Sequence, residues 1–227
     1  MSGWQLNFLL GVASSLLASL VIIGIAGILS KTVRWVLTGL LGRMLDIDIE
    51  IVFASPREAA AEVKREIARS AQIFLMTGRG SELQRETFEH LFSSISSSQA
   101  CSLYVLLPDI DPTDSQIDWV ARREQETALF DPAAGKGLLR QQIITTSMFL
   151  DGFDGRSNLR VRYYNLPLMG RILITDRCAF LTPYSKLEHS RKSKVIKYRR
   201  GGDMYDFLKR IFDEAWATSR AASGKEG

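Results

Sequence analysis

The sequence predicts an α/β domain, a mixed sheet flanked by helices, preceded by one transmembrane helix. Three observations carry this. From Met1 to Ser30 no side chain is charged, so all 29 Lys and Arg and all 25 Asp and Glu lie beyond that stretch. From Asp48 to Leu107 short apolar runs alternate with amphipathic ones at strand and helix spacing. Strand-like runs and one closing amphipathic helix fill the last third.

The uncharged stretch comes first. At about 1.5 Å per residue it reaches roughly 40 Å as a helix, enough for a hydrocarbon core of ~30 Å. A cleaved leader would open on Lys or Arg and have a shorter apolar core; Met1-Ser2-Gly3-Trp4-Gln5 has neither cation. Residues 1–30 are therefore expected to span a bilayer. Lys31, Arg34 and Arg43 follow the span, which puts the N-terminus outside and the large domain in the cytoplasm of a cell inner membrane. Trp4 and Trp35 sit at the two interfacial levels, and Gly11, Ser15 and Ser19 fall four apart as a small-residue face for helix association. Residues 31–48 form an amphipathic juxtamembrane segment, with Val33, Val36, Leu37, Leu40, Leu41, Met44 and Leu45 on one side.

The domain runs over 49–219. Asp48–Phe53 alternates as a strand does. Ser55-Pro56-Arg57-Glu58 combines an N-cap, a proline at the first helical position and a capping-box glutamate; Ala60, Val63, Ile67 and Ala71 supply the apolar stripe. Ile73–Met76 is a buried strand. After Gly78-Arg79-Gly80 a second capped helix is expected from Ser81, with Gln84 in the box position and Leu83, Phe88, Leu91, Phe92 and Ile95 as its face. Leu103–Leu107 is another buried strand, and this rhythm implies crossovers onto a largely parallel sheet. A helix around Trp119, another over Gly137–Leu150, strands at Leu159–Tyr164, Arg171–Thr175, Ala179–Pro183 and Val195–Tyr198, and a helix over Asp203–Ser219 complete it. Residues 220–227 are expected to be a disordered tail. Cys101 and Cys178 lie in apolar runs and fit a reducing compartment better than a disulfide framework.

The segment Pro167-Leu168-Met169-Gly170-Arg171-Ile172-Leu173-Ile174-Thr175-Asp176, with the element order around it, resembles the phospholipase D-like superfamily over roughly residues 50–219. That family's motif is His, any residue, Lys, four residues, Asp. Here Met169, Arg171 and Asp176 take the three places. The resemblance implies that the histidine would be the phosphate-attacking nucleophile. A thioether has no such chemistry, and the chain's two histidines, His90 and His189, lack the motif spacing. The expectation is a non-enzyme that keeps a phosphate pocket.

Candidate ligand-binding residues are Arg171 and Asp176, Arg79 in its glycine turn, Tyr163, Tyr184 and Lys186. For Arg171 an internal ion pair, with Asp176 or another carboxylate, competes with ligand binding. No metal spacing stands out and no cofactor is implied. Lys186–Arg200 holds seven basic residues against Glu188, and 109–126 holds six acidic residues against two Arg. The basic run reads as a solvated hairpin, or as contact with anionic headgroups; nucleic acid ranks last.

The leading expectation is a membrane-anchored, non-catalytic sensor or effector. Its cytoplasmic domain binds a phosphate-bearing ligand, such as a cyclic nucleotide second messenger in bacterial anti-phage (antiviral) defence, and couples this to transmembrane-helix assembly in a homo-oligomer. The alternatives are a phosphodiesterase, phospholipase or nuclease with a non-standard site, and a membrane-tethered adaptor that recruits a protein.

Overall fold

The computed structural model describes residues 3–30, 48–85, 87–88, 91–93, 101–113, 115–131, 136–153, 156–185 and 192–221. It divides into two compact units, Met1–Ile51 and Val52–Gly227.

In the first unit, helix α1 covers Gly3–Leu29, 27 residues with no acidic or basic side chain at either end. Its described side chains, Phe8 and those from 11 to 25, are exposed around the whole circumference. Ser14 and Ser19 donate to the carbonyls of Gly11 and Ser15 at 3.0 and 2.9 Å, which satisfies these hydroxyls within the helix itself. These described side chains stop short of a span, and among the described residues no helix is long and apolar enough to cross a membrane. The side chain of Trp4, and the whole of 31–47 with Trp35 and the expected amphipathic segment, lie outside the described residues.

The second unit is built on an eight-stranded mixed sheet in the order β1-β7-β6-β5-β2-β3-β4-β8. Strand β1 (Ile49–Phe53) carries the unit boundary and leads into helix α2 (Pro56–Ile67). Ser55 caps α2 by accepting from the Glu58 N–H at 3.3 Å. The Glu58 carboxylate reaches back to the N–H of Ala54 rather than that of Ser55, one residue beyond the reciprocal box. The buried stripe of α2 is Ala59, Val63, Glu66 and Ile67, so it is Ala59 rather than Ala60 that faces inward, and Ala71 lies past the helix.

Strands β2 (Gln72–Met76), β3 (Ser102–Pro108) and β4 (Leu159–Tyr164) are parallel neighbours. Helices α3 (Trp119–Ala128) and α4 (Leu138–Asp151) occupy the connection from β3 to β4. The largely parallel sheet expected from the sequence holds only for this half. Strands β5 (Gly170–Thr175), β6 (Cys178–Pro183) and β7 (Val195–Arg199) follow one another with no α-helix among the described residues between them; β6 pairs antiparallel with β5 and β7 with β6, while β5 runs antiparallel to β2. Helix α5 (Asp203–Thr218) crosses the other face. Strand β8 (Arg220–Ala221) then pairs with Arg162 and Tyr163 of β4, so the first two residues of the expected tail are strand, and 222–227 lie outside the described residues.

The core lies on the α2/α3/α4 face. Ile73 and Leu75 of β2, Leu103, Val105 and Leu107 of β3, Leu173, Phe180 and Val195 share one cluster there with Leu83, Phe88, Leu91 and Phe92. Period-two alternation puts these strand residues on one side of the sheet. The opposite face is aromatic: Phe74 stacks on Tyr104 at 4.9 Å and meets Phe212 of α5 edge-on at 5.3 Å. The second helix expected from Ser81 opens instead as a 3-10 turn of four residues, Ser81–Gln84, and the described residues 87–88 and 91–93 beyond it are α-helical. Its N-cap is Gly80, in the left-handed region at φ 73, and no side chain caps it. A Cβ at Gly80 would lie 2.6 Å from Thr146 Cγ2 and 3.0 Å from Leu107 Cδ2, so both backbone angle and packing require glycine. Ile95 lies outside the described residues.

Candidate functional site

The register of the sheet assembles the site. Met76 of β2 pairs with Ile172 of β5, which sets Thr77 opposite Arg171, and Arg171 pairs across with Thr182 of β6. All three project on the core face at its polar end, where β2 runs into the Gly78–Gly80 turn. The guanidinium of Arg171 donates from Nη2 to Thr182 Oγ1 at 3.2 Å, and its Nη1 stands 3.7 Å from Glu82 Oε1. Both side chains are largely enclosed, 18% exposed for Arg171 and 12% for Glu82.

A short polar relay fixes the carboxylate. Thr77 donates from Oγ1 to Glu82 Oε1 at 2.6 Å, and the Gly78 N–H donates to the Tyr184 hydroxyl at 3.3 Å. Tyr184 also shares a hydrogen bond with the Thr77 side chain. Tyr164 donates to the Thr77 carbonyl at 3.2 Å. Burial pushes the Tyr184 phenol up, and the Glu82 charge adds to this; the Arg171 charge and the two hydrogen bonds oppose it. Tyr164 is pushed up strongly for the same first reason, with Tyr184 and Glu82 adding to it. Both phenols stay protonated, as neutral hydrogen-bonding groups, through the physiological range.

Beside this cluster opens a cleft of about 220 Å³ lined by Trp119, Arg122, Arg123, Glu126, Pro167, Leu168, Met169 and Tyr184. The Arg122 guanidinium lies 5.1 Å from the centre of the Trp119 ring. Arg123 is held by Glu126 at 3.0 Å and by the Ser185 carbonyl at 2.7 Å. Met169 stands 73% exposed in the β4–β5 turn, where its N–H bonds the Pro167 carbonyl and its carbonyl accepts from Tyr184.

The sequence-predicted residues separate into groups. Arg171 and Tyr184 meet in the cluster. Arg79 turns to α4, donating to Gln142 Oε1 at 3.4 Å while its carbonyl accepts from Thr146 at 2.8 Å. Tyr163 faces away from Tyr164, as adjacent strand residues must. Its hydroxyl bonds Ser147 and its ring lies under Arg220. Asp176 lies past the far end of β5, about 16 Å from Arg171 at strand rise. There it accepts from the Ala71 N–H at 3.5 Å, and Arg200 binds its carbonyl. Arg171 and Asp176 are thus not one frame. Lys186, His90 and His189 lie outside the described residues. Sequence reasoning missed Glu82, Thr77, Thr182 and Tyr164, all of which depend on long-range register.

No family model matches the chain, and no curated protein does. Solved structures do. The chain is similar to TrmBL2, described as an archaeal chromatin protein with a novel mode of DNA binding, at 12% identity and a TM-score of 0.49, over 96% of this chain and 67% of that one. It is similar to Nuc from Salmonella typhimurium, a phospholipase D family member, at 10% identity and a TM-score of 0.44, over 77% of this chain and 97% of that one. NucT from Helicobacter pylori gives 11% identity and 0.43, over 76% of this chain and 98% of that one. These are likenesses of chain path at low identity. None of them says what this chain binds or does.

Among the described residues no group of three or more His, Cys, Asp and Glu could hold a metal ion. Chemically, the assembled groups offer a cation paired to an internal carboxylate, two neutral phenols, and a neighbouring cleft with an indole and a further cation.

Proposed function

We propose that the second unit is a phospholipase D-like domain that recognises a phosphate-bearing ligand without cleaving it, and that α1 anchors it in a bilayer. The observation that carries the reading is the pairing of Met169 and Arg171. An exposed thioether occupies the motif's nucleophile position, and the adjacent cation is already matched by Glu82. A thioether neither attacks phosphorus at neutral pH nor relays a proton. The cleft beside it can still hold an anion: Arg122 has no ion pair among the described residues and lies over an indole suited to a planar group.

Anchoring is supported by the 27-residue backbone helix without charge and by the outward aliphatic side chains of Leu16, Leu17, Leu20, Val21 and Ile22. In this reading the second unit faces the cytoplasm and the helices associate in an oligomer whose packing the ligand alters. A cyclic nucleotide in antiviral defence is one ligand of the required chemistry.

The full chain, extracted in detergent, tests this. Incubation with bis(p-nitrophenyl) phosphate is expected to give no turnover. Mass spectrometry of small molecules released from the purified protein is expected to find a phosphorylated compound, lost in Arg122→Ala. Turnover abolished by Arg171→Ala would make the chain a hydrolase. Alkaline carbonate washing of membranes is expected to leave the full chain in the pellet and to release a chain lacking residues 1–30.

A further inference from the structure

We infer that Glu82 is a built-in counter-anion that holds the Arg171 fork and that an incoming oxyanion displaces, so that Glu82 sets the threshold for ligand binding. This rests on the phosphate-recognition reading and names what controls that site.

The argument starts from the fork. Thr182 takes Nη2 at hydrogen-bond distance, whereas Nη1 is 3.7 Å from Glu82 Oε1, beyond hydrogen-bond range. The carboxylate therefore neutralises Arg171 through space while leaving that nitrogen without a hydrogen bond among the described residues. Bidentate pairing is the stronger arrangement for a guanidinium, and here a competing anion can still achieve it. The carboxylate is held by another group: Thr77 Oγ1 grips it at 2.6 Å. Glu82 sits on a four-residue 3-10 turn behind a left-handed glycine, an element able to move its side chain without disturbing a long helix.

The remaining neighbours fit an exchangeable anion. Tyr184, hydrogen-bonded to Thr77 and to the Gly78 N–H, belongs to the polar cluster and also lines the open cleft, so the cluster lies one side chain behind that cleft. An oxyanion entering beside Met169 and Tyr184 meets Arg171 from the cleft side. While Glu82 stays, the entering charge is opposed by a like charge; once it swings out, Arg171 and the Tyr184 hydroxyl face the ligand. An oxyanion that binds too weakly to move Glu82 is excluded.

The test is calorimetric titration of inorganic phosphate into the detergent-extracted full chain, comparing wild type with Glu82→Gln. Removing one like charge near the site is expected to tighten phosphate about tenfold or more. Thr182→Val, which frees Nη2 but keeps the carboxylate, is expected to give no gain. Should Glu82→Gln not fold, Thr77→Val releases the carboxylate isosterically and is expected to tighten phosphate as well. Parallel titrations with AMP and glycerol phosphate separate a nucleotide from a headgroup-like source, since either can carry the same oxyanion. Wild type that binds phosphate, with folded variants that bind it no better, overturns the counter-anion role alone. No binding of any of the three probes by any variant removes the phosphate reading too.

Discussion

Lys197 Nζ lies buried between two carboxylates, 2.8 Å from Glu62 Oε1 and 2.9 Å from Glu66 Oε1, and ties β7 to α2. Arg177 joins from the side at 3.3 Å from Glu66. Lys197 is 6% exposed, so its charge is held by these partners rather than by water. Replacing it with methionine removes the cation the two carboxylates share, leaving Glu66 to Arg177 and Glu62 to Arg65 at the edge of the network. The expected loss is about 3 kcal/mol or more, read from the urea midpoint of the full chain. An unchanged midpoint would show that solvent already reaches the pair.

The same network sets a pH dependence. Burial raises the Glu66 carboxyl, but the hydrogen bond and charge of Lys197, with those of Arg177, outweigh it and hold the group below its usual 4.5. Burial likewise raises Asp109, and the hydrogen bond of Arg220, the Asp111 N–H and the Arg220 charge outweigh it. Both folded values are depressed. Their stabilisation is therefore complete above the unfolded carboxylate range and lost as pH falls through the folded values. Thermal midpoints are expected to be flat from about pH 5 to about pH 8 and to fall in acid. In Asp109→Asn the acid-side fall is expected to be shallower.

Arg171→Ala removes the cation beside Glu82 and leaves a largely enclosed carboxylate with Thr77 as its remaining described partner. A cost of about 2 kcal/mol is expected. The double variant with Glu82→Gln is expected to recover part of it, and a double-mutant cycle in urea measures the coupling. Strict additivity would mean that the 3.7 Å contact contributes nothing.

Gly80→Ala forces a Cβ into Thr146 and Leu107 at a positive φ, and is expected to cost about 1–3 kcal/mol. Gly201→Ala tests the backbone part alone, since it shares a positive φ of 80 but has nothing within 4 Å. The smaller loss should fall at 201 in chemical unfolding.

Phe212→Ala empties the joint between α5 and the aromatic face. Phe212 is 1% exposed and contacts Phe74 and Trp216, so a loss of about 3–5 kcal/mol is expected. Near-ultraviolet circular dichroism should weaken with it.

Much of the scaffold was legible because its signals are local. Ser55, Pro56 and Glu58 mark the start of α2 within four residues, and the apolar periods of 138–151 and 203–218 fix two helices. The start expected for a helix at Ser81 shows where local rules fail. Ser81 and Gln84 have the right spacing, but Gly80 takes the cap position and Glu82 is drawn toward Thr77. The site was less legible because its partners are far apart in sequence. Arg171 finds Glu82 rather than Asp176, five residues away, because side chains along one strand diverge while antiparallel β2 brings residue 82 close. Nothing within a short window could have named Glu82.

The two-residue strand β8 has a consequence for self-assembly. It covers only Arg162 and Tyr163 at an outer margin of the sheet, and a bidentate clasp from Arg220 to Asp109, at 2.8 and 3.2 Å, fastens it there. Shearing off that clasp would lay bare the peptide groups of β4, and uncovered margins of this kind invite stacking between molecules. A chain shortened before Arg220 should therefore keep its core yet polymerise slowly through its flank.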